Sequence, residues 1–455
     1  MNKEAVLASL KQQLSLHQAS KVLVVGLGAT GFSVAQFLQK HGINYAVIDS
    51  RDNPPHNDEL LQAHPDTPVF TGGFDKAAFD VATHLIVSPG VSLQEKAIQK
   101  AILAKTKIVS DIDLFACATD KPIVAITGSN GKSTVTTMLG NMGNSSGIKT
   151  AMGGNLGIPV LDLLDESIEL YVIELSSFQL ERTTSLNAAA ATVLNISSDH
   201  LDRHTDLAEY AKAKQQIFSG DGVMVLNHDD PIVKEMVQSN RKVFSFSLHK
   251  DTRFHIAIKE GENCLMDGEK ALIKLVELSL EGSHNIANAL AALALGKAMG
   301  MDNQSMCSAL KNFKGLAHRM QRIAKVKGIT WVNDSKATNI GACIAALQGY
   351  QKKVVLIAGG DSKGAEMNEL IPVIKEKTKC VVLMGKDAKK IASAINGCVP
   401  SYQVQTMQEA VQLAAEMAAE GENVLLSPAC ASIDQFKNYQ ERGEQFAAAV
   451  MELAA

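Results

Sequence analysis

The chain has 455 residues, of which 46% are hydrophobic and 20% charged, and its formal net charge at pH 7 is −4. This length predicts roughly two to four domains with a sizeable core, and a slightly acidic chain without a basic run argues against sequence-independent nucleic-acid binding. The 7 cysteines are scattered without C-x-x-C pairs, no apolar stretch is long enough to cross a bilayer, and no signal peptide is visible, so we expect reduced thiols and a cytoplasmic protein without membrane insertion.

The first predicted segment begins with a helical stretch and continues as a βαβ unit with a dinucleotide-type glycine pattern. An apolar strand leads into G-x-G-x-x-G at residues 26–31, a helix follows, and the next strand, Tyr45–Ile48, ends at Asp49. Asp49 stands near the place where an acid meets a ribose in such units. A further strand, His84–Val87, ends in a turn that contains Gly90. The segment predicts a nucleotide or nucleotide-sugar site, although the same glycines would also suit close helix–strand packing alone.

The second segment opens on a phosphate-binding pattern. An apolar strand runs into TGSNGKST at residues 127–134, and a helix is predicted over 136–143. The pattern is shorter than G-x-x-x-x-G-K-[ST], because Ile126 stands where the first glycine is expected. Backbone N–H groups and the helix N-terminus attract phosphate oxygens, Lys132 can reach the terminal phosphates, and the Ser133 hydroxyl can bind Mg²⁺. The alternative is a strand–helix turn that merely contains a lysine.

More strands alternate with helices in this segment, at Leu170–Glu174, 191–195 and 222–226, and an alanine-rich buried helix is predicted at 285–301. Glu174 ends its strand beside the phosphate loop. A carboxylate in that place can hold Mg²⁺ or its water. The alternative is a solvated glutamate at a strand end.

Two further residues of this segment are candidates for metal chemistry. Residues 195–204 are dense in metal- and anion-binding groups, and His200 is a candidate ligand, although a lone histidine is more often structural. In the following helix, 207–218, the apolar spacing places Lys214 on the inner face. Such a lysine either extends its amine to solvent, pairs with a carboxylate, or is carbamylated by CO₂, which would make it an anionic Mg²⁺ ligand.

The third segment begins near residue 317 and predicts another doubly wound unit. Its predicted strands are 330–333, 353–358, 380–384 and 423–427. Three of these strands run into polar clusters that contain Lys336, Lys363 and Ser432, and Arg319 at the segment junction could bind phosphate bidentately. We interpret the clusters as one site, although each could be turn chemistry or helix capping. Cys430 lacks a base in any motif and is interpreted as a packed thiol.

The set of motifs resembles the ATP-dependent Mur ligases of peptidoglycan synthesis. The segments that carry the resemblance are 127–134, Glu174 with its Ser-Ser-Phe-Gln tail, 195–203, 282–288, 318–319 and 333–339. G-G-D-x-K ending at Lys363 and S-P-A-C-A-S-x-D-Q-F from Ser427 resemble the D-glutamate-adding branch, and the D-N-P-R signature of the diaminopimelate- or lysine-adding branch is absent.

The resemblance implies an α/β protein with three domains. They are a Rossmann-like UDP-substrate-binding domain (1–110), a central ATP-binding P-loop domain (111–315) and a Rossmann-like C-terminal domain that contributes amino-acid and nucleotide contacts (316–455). The implied reaction joins D-glutamate to UDP-N-acetylmuramoyl-L-alanine, with ATP and a pair of Mg²⁺ ions, through an acyl phosphate and a tetrahedral intermediate. We expect a monomer whose partners are these small molecules.

The resemblance also assigns roles to individual residues. The ATP-binding residues are Gly128, Asn130, Gly131, Lys132, Ser133, Thr134, Asn288, Arg319 and Asp334. The metal ligands are Ser133, Glu174, His200 and carbamylated Lys214. The UDP-substrate residues are Thr30, Asp49, Ser50, Arg51, Gly90 and Asn155. The D-glutamate residues are Lys336, Thr338, Lys363, Ser432 and Tyr439. The catalytic residues are Lys132, His200, Lys214 and Lys336.

Several alternatives stay open from the sequence. A sister Mur ligase or a folylpolyglutamate synthetase-like ligase shares the phosphate loop and the ligase chemistry. An NAD-dependent oxidoreductase would explain the first glycine pattern but neither the phosphate loop nor the third segment. A nucleotide-gated switch would lack the third segment's convergent polar groups.

Overall fold

The computed structural model is an α/β molecule in three parts, each built on its own sheet. The predicted three-domain α/β fold is confirmed. Within the part of the chain that is described, no helix combines the length and apolarity needed to cross a membrane. The structure describes residues 1–74, 76–197, 199, 203–279 and 282–453.

The first part folds around a parallel sheet whose described strands have the order β3-β2-β1-β4-β5. The strands are β1 (Val22–Val25), β2 (Tyr45–Ile48), β3 (Val69–Phe70), β4 (His84–Val87) and β5 (Lys107–Val109). The helices are α1 (Lys3–Leu14), α2 (Ala29–His41), α3 (Asn57–Ala63), α4 (Lys76–Val81), α5 (Lys96–Leu103) and α6 (Asp111–Ala118). Strand β1 is apolar, β4 is apolar after His84, and both are fully buried, as expected of parallel strands covered on both faces. The strand order reverses between them, so the turns that follow them meet at the edge where such sheets bind ligands.

The second part contains a larger mixed sheet, whose described order is β14-β13-β12-β11-β10-β9-β6-β8-β7. The strands are β6 (Ile123–Thr127), β7 (Thr150–Gly154), β8 (Leu170–Glu174), β9 (Ala190–Val193), β10 (Val223–Asn227), β11 (Val243–Phe246), β12 (Phe254–Lys259), β13 (Glu262–Asp267) and β14 (Lys270–Lys274). The helices are α7 (Lys132–Ser145), α8 (Ser177–Leu180), α9 (Leu207–Gln215), α10 (Pro231–Lys234), α11 (Ser283–Ala298) and α12 (Asn303–Asn312). Pairing is parallel from β7 to β12 and antiparallel among β12, β13 and β14. Strand β6 lies between β8 and β9, so the loop after it is surrounded by the ends of both neighbours.

The third part is a sheet with the described order β15-β16-β20-β17-β18-β19, in which β15 is antiparallel to its neighbour and the other pairs are parallel. The strands are β15 (Gln321–Val326), β16 (Ile329–Asn333), β17 (Val354–Gly359), β18 (Thr378–Met384), β19 (Ser401–Gln403) and β20 (Asn423–Leu426). The helices are α13 (Ile340–Gln348), α14 (Ile371–Lys377), α15 (Ala388–Ala394), α16 (Met407–Met417) and α17 (Tyr439–Glu452). Apolar clusters pack on both faces of this sheet.

Two packing features position the parts. The first and second parts share one continuous apolar cluster, which fixes the first sheet against the central one. The predicted alanine-rich helix is α11, and its residues from Asn288 to Gly296 are buried in a cluster that also contains α7. Its small side chains allow close approach to α7, the helix that follows the phosphate loop.

Candidate active site

The phosphate loop has the strand–loop–helix geometry that the sequence predicts. Gly131 caps α7 with φ +85°, a left-handed conformation that a residue with a side chain rarely adopts. Gly128 has φ +150°, and a Cβ there would lie 3.0 Å from the Cβ of Leu194. Both glycines are therefore required for the backbone to turn between β6 and α7. The free N–H groups at the start of α7 face the loop, which is the arrangement that binds phosphate.

Lys132 lies across this loop. Its Nζ donates hydrogen bonds of 2.8 Å to the carbonyl oxygens of Gly128 and Ser129. Burial lowers the pKa of Lys132, while the nearby carboxylates of Glu174 and Asp199 oppose that shift. The amino group is thus held inside the loop, at the place where a phosphate would offer it a better partner.

Glu174 is the clearest candidate ligand for a cation. It is 2% exposed, its Oε1 accepts a 2.6 Å hydrogen bond from Asn155 Nδ2, and its buried Oε2 has no hydrogen-bond partner in the part of the chain that is described. A buried carboxylate oxygen without a partner costs free energy. An oxygen of this kind beside a phosphate loop fits Mg²⁺, which prefers hard oxygen ligands.

The protein ligands for such an ion are few. Among the described residues, no cluster of three or more His, Cys, Asp or Glu side chains is arranged to hold a metal. His200, a predicted ligand, lies outside the described residues. Mg²⁺ usually keeps several waters and takes only one or two carboxylates together with substrate phosphates. The orphaned carboxylate of Glu174, together with the Ser133 hydroxyl of the phosphate loop, suits such an ion.

Lys214 lies on the buried face of α9, as its spacing predicts, and is 1% exposed. Its Nζ donates to Gly128 O at 3.0 Å and to Thr127 Oγ1 at 3.3 Å, and lies 4.5 Å from the ring centroid of Tyr210. The alternative that Lys214 extends its amine to solvent is therefore wrong, because the side chain would then be exposed. Burial, followed by the charge of Lys132, lowers the pKa of Lys214 well below its usual value. The amine therefore loses its proton more readily than that of an exposed lysine, and its uncharged form is the one that can react as a nucleophile.

The segment that follows β9 stabilises the phosphate loop through hydrogen bonds. The Asn195 side chain accepts from the Asn130 N–H at 2.8 Å and donates to the Asn130 carbonyl at 3.1 Å. The Ser197 N–H donates to Ser129 Oγ at 2.9 Å. Asn195 and Ser197, two members of the predicted metal- and anion-binding run, thus hydrogen-bond to the phosphate loop and stabilise its conformation.

The third part reaches the phosphate loop through Arg319, whose Nη2 donates to Ser133 Oγ at 2.9 Å. The two neighbours of Arg319, His318 and Met320, have φ of 61° and 46°, and such strain is tolerated where the surrounding structure requires it. The backbone on both sides of Arg319 is thus bent to aim this guanidinium at the loop.

A second contact between the same two parts is centred on Asp199. Its carboxylate accepts from Asn339 Nδ2 at 2.9 Å and lies 3.7 Å from Lys363 Nζ. Lys363 itself has φ 51°. The strand ends of the third sheet therefore converge on the phosphate loop, as interpreted from the sequence.

A cavity of about 290 Å³ lies between these parts. Its lining includes Asn288, Arg319 and Asp334, the three predicted nucleotide residues outside the loop. It also includes small residues of α13, namely Gly341, Ala342, Ala345 and Ala346. The lack of a side chain at Gly131 leaves room for the Asn288 amide. Small residues on one wall and amide and carboxyl groups on the other suit a flat, polar-edged ring such as a nucleobase.

Asp334 is buried beneath this cavity. Burial raises its pKa to about 7, although hydrogen bonds from Ser427 Oγ (2.9 Å) and the Met320 N–H (3.2 Å) oppose the shift. The carboxyl group thus changes its charge near neutral pH and holds the backbone next to Arg319.

The predicted D-glutamate residues share one region of the third part. The Lys336 Nζ lies 3.8 Å from the ring centroid of Tyr439, and burial, followed by Arg319, lowers its pKa to about 8. The loops that carry Lys363 and Ser432 are joined by backbone hydrogen bonds between Asp361 and Ala431 of 3.0 and 2.8 Å. Thr338, which follows closely after Lys336, donates its N–H to the Lys336 carbonyl at 2.8 Å.

At the first sheet, Asp49 is 2% exposed and accepts from the Leu27 N–H at 2.7 Å and from the Arg51 guanidinium at 2.7 and 2.8 Å. Burial alone would raise the pKa of Asp49, but these hydrogen bonds lower it. Its carboxylate thus joins the glycine loop to the end of β2. The remaining predicted UDP-substrate residues of this part follow strand ends or begin a helix at the same edge: Thr30, Ser50 and Gly90. Asn155 lies apart from them, on Glu174.

Two buried arginines, Arg182 and Arg442, were not identified from the sequence. Arg442, 2% exposed, donates to the Ser335 carbonyl at 2.7 Å and the Cys430 carbonyl at 3.1 Å, and holds two site loops together. Its spacing from Phe446 on the buried face of α17 is the same signal that identified Lys214. Arg182 is considered below. Cys430 is the packed thiol that was predicted, since burial raises its pKa to about 12.

The fold and the site define a class of protein: a three-domain α/β enzyme with a phosphate loop, in which the third domain contacts that loop through Arg319. The chain belongs to the Mur ligase family. Family descriptions match it as "Mur ligase MurD-like, N-terminal domain" at residues 20–110, "Mur ligase middle domain" at 126–296 and "Mur ligase, glutamate ligase domain" at 318–430.

Relatives and solved structures agree with this. The UDP-N-acetylmuramoylalanine--D-glutamate ligase of Methylococcus capsulatus is 51% identical over 97% of both chains. That of Pseudomonas aeruginosa is 47% identical over 95% of this chain and 98% of the relative. A pseudomurein peptide ligase of Methanothermus fervidus has the same fold, with a TM-score of 0.63 at 20% identity over 95% of this chain and 100% of that one. The UDP-N-acetylmuramate-alanine ligase of Thermotoga maritima gives 0.60 at 18% identity, covering 95% and 99%.

Proposed function

We propose that this chain joins D-glutamate to UDP-N-acetylmuramoyl-L-alanine with cleavage of ATP, the ligation that the names of its relatives describe. The observation that carries the proposal is the meeting of Arg319 with the phosphate loop at Ser133, because it brings the strand ends of the third sheet to the place where a terminal phosphate would lie. The alternatives, a sister ligase with another amino acid, a folylpolyglutamate synthetase-like ligase, an oxidoreductase or a switch, are not favoured by these relatives.

Binding of ATP follows from the loop and the cavity. The loop set, Gly128, Asn130, Gly131, Lys132, Ser133 and Thr134, would hold the phosphates, and Asn288, Arg319 and Asp334 would hold the nucleoside. When bound, Mg²⁺ would neutralise phosphate charge. We propose that Mg²⁺ binds as a pair of ions and that their ligands from the protein are Ser133, Glu174, His200 and carbamylated Lys214.

In the first chemical step the L-alanyl carboxylate of the sugar nucleotide attacks the γ-phosphorus. An O–P bond forms, the bond to the β–γ bridging oxygen breaks, and ADP leaves with both electrons of that bond. Lys132 lies in the loop where negative charge accumulates, so its ammonium group stabilises the transferring phosphoryl group. The carboxylate becomes an acyl phosphate, which a neutral amine can attack.

In the second step the D-glutamate amine attacks the acyl carbon and forms a tetrahedral intermediate. Collapse breaks the C–O bond, phosphate leaves, and the amine loses one proton as the amide forms. The proposed D-glutamate residues, Lys336, Thr338, Lys363, Ser432 and Tyr439, would orient the amino acid. Lysines there suit its two carboxylates.

Carbamylation of Lys214 would complete the site. Its uncharged amine would attack CO₂, form an N–C bond and release one proton, which turns a buried base into a carboxylate-like anion. Such an anion beside Glu174 would suit a second cation. The neighbouring ammonium of Lys132 would stabilise the negative charge.

The proposed domains keep the bounds 1–110, 111–315 and 316–455. We propose that the enzyme is active as a monomer. The use of ATP and the free state of the described cysteines favour a cytoplasmic enzyme.

The test is phosphate release with ATP, Mg²⁺ and UDP-N-acetylmuramoyl-L-alanine, with D-glutamate compared against L-glutamate, L-alanine and diaminopimelate. We expect release with D-glutamate alone, its loss in Lys132→Met, and its retention in Lys149→Met, which alters an exposed lysine beyond the end of α7. Phosphate release with a different amino acid would instead identify a sister ligase that adds that amino acid. No release with any of them would contradict ligase chemistry.

A further inference from the structure

Arg182 is buried at the junction of the first and second parts, with 2% exposure. Its Nη1 donates to the carbonyl oxygens of Val87 (3.1 Å) and Ser88 (2.7 Å), and its Nη2 donates to that of Val91 (3.3 Å) and pairs with Glu181 at 2.5 Å. Burying a guanidinium is costly, and this one directs most of its hydrogen bonds to the backbone of another domain. The role of Arg182 therefore depends on the residues of that backbone segment.

The backbone it holds is the turn at residues 88–91, which follows β4 at the point where the first sheet's strand order reverses. Ser88 Oγ donates to the Gly26 carbonyl at 2.8 Å. A Cβ at Gly26 would lie 2.9 Å from Val91 Cγ2, so the turn and the glycine loop are packed as one unit. Gly90, a proposed sugar-nucleotide residue, lies in this turn.

The other end of the connection is equally fixed. Arg182 comes just after α8, which follows the end of β8, where Glu174 lies. The next residues are held by the Asp113 carboxylate, which accepts from the N–H groups of Thr184 (2.8 Å) and Ser185 (2.7 Å). The guanidinium thus lies in a fixed segment that follows closely, through α8, after the strand end that carries the orphaned carboxylate.

We propose that Arg182 is a positioning residue that sets the distance between the sugar-nucleotide turn at 88–91 and the strand end at Glu174. This inference rests on the proposed function, because it assigns the turn to the sugar nucleotide. Without Arg182 the turn loses its tie to the central domain, and the reacting carboxylate is no longer delivered to the terminal phosphate. The phosphate loop and the cavity proposed for ATP are lined by residues of the second and third parts, so binding of ATP itself needs no such tie.

The experiment compares Arg182→Gln and Arg182→Lys with Arg241→Gln. Arg241 is a matched control, because its guanidinium also donates to backbone carbonyls, those of Phe218 (2.8 Å), Gly220 (2.6 Å) and Gly222 (2.8 Å), but within the central domain alone. The Michaelis constants for the sugar nucleotide and for ATP are measured separately. Neither depends on the fraction of enzyme that folds, so a less stable variant still gives an answer.

For Arg182→Gln we expect the KM for the sugar nucleotide to rise by about tenfold or more, the effect of losing roughly one charge-assisted hydrogen bond, while the KM for ATP stays nearly constant. Arg182→Lys should recover part of the loss, and Arg241→Gln should change neither constant. An unchanged KM for the sugar nucleotide, or equal rises in both constants, overturns the inference alone. A wild-type enzyme that does not turn over the sugar nucleotide overturns the proposed function, and the inference with it.

Discussion

Replacing Lys214 by methionine tests whether the buried amine is neutral in the folded protein. Lys214 is 1% exposed and its described acceptors are a carbonyl and a hydroxyl oxygen, so burial and the charge of Lys132 lower its pKa well below the usual 10.5. Methionine has a similar shape without the titrating group. The substitution therefore removes one proton-binding site that the unfolded chain has and the folded chain has lost.

The sign of the effect follows from proton linkage. Between the lowered folded pKa and 10.5, the unfolded wild-type chain binds a proton at Lys214 that the folded chain does not. The free energy of unfolding of the wild type therefore rises with pH in this window, by roughly 1.4 kcal/mol per pH unit for one proton. Lys214→Met lacks this term, so it is more stable than the wild type at low pH, and its advantage shrinks as the pH approaches 10.5.

The assay is urea unfolding at about pH 7, 8 and 9 in buffer depleted of CO₂. The matched control is Lys212→Met, because Lys212 lies on the exposed side of the same helix and should follow the wild type at every pH. Parallel curves for the wild type and Lys214→Met would refute the reasoning, since they would mean that the buried amine keeps its proton. With isotopically labelled CO₂ added, the wild type should show a carbamate carbon signal that Lys214→Met lacks.

Three further substitutions have expected outcomes. Glu174→Gln removes the charge at the orphaned oxygen and should raise the Mg²⁺ concentration needed for half activity by roughly ten- to a hundredfold, measured by Mg²⁺ titration of phosphate release; an unchanged titration would remove Glu174 from the ligands. Arg319→Lys loses the planar guanidinium beside Ser133 and should raise the KM for ATP about tenfold, whereas a change confined to the KM for D-glutamate would contradict its assignment. Burial raises the pKa of Asp334 in the folded protein to about 7, so between about pH 4 and 7 the folded chain binds a proton that the unfolded chain has lost. The free energy of unfolding of the wild type should therefore fall, relative to that of Asp334→Asn, as the pH rises through this window. Free energies of unfolding that stay parallel across the window would contradict the raised pKa.

The sequence contained the phosphate loop, its helix and the three strand ends, because each depends on local chemistry: glycines that permit a turn, an apolar run that forms a strand, and polar residues that follow it. Lys214 could be found as well, since an amphipathic helix has a period that shows which residue faces inward. Arg442 occupies the same kind of position on α17 and was missed for lack of a motif around it. The strands β11 to β14 of the central sheet were also missed, because β12, β13 and β14 are only partly buried and their alternation is weak.

Other parts of the site could not be read from the sequence. Arg182 binds carbonyl groups of residues 87–91, far away along the chain, and a backbone acceptor leaves no trace in residue type. The contact of Asp199 with Asn339 and Lys363 likewise depends on how two domains meet. Local patterns locate strand ends, but the distances between domains are set by packing over the whole chain.

The cationic groups of the site indicate the kind of ligand that it binds. Burial lowers the pKa of Lys132 and of Lys336, and the positive charge of Arg319 lowers both further. Such crowding of positive groups is unfavourable without an anion beside them, and a polyanion relieves it at several residues together. Because Lys132 belongs to the central domain and Lys336 and Arg319 to the third, one triphosphate that binds all three also favours the approach of the two domains. The same electrostatic interactions that bind the triphosphate therefore also draw the central and third domains together.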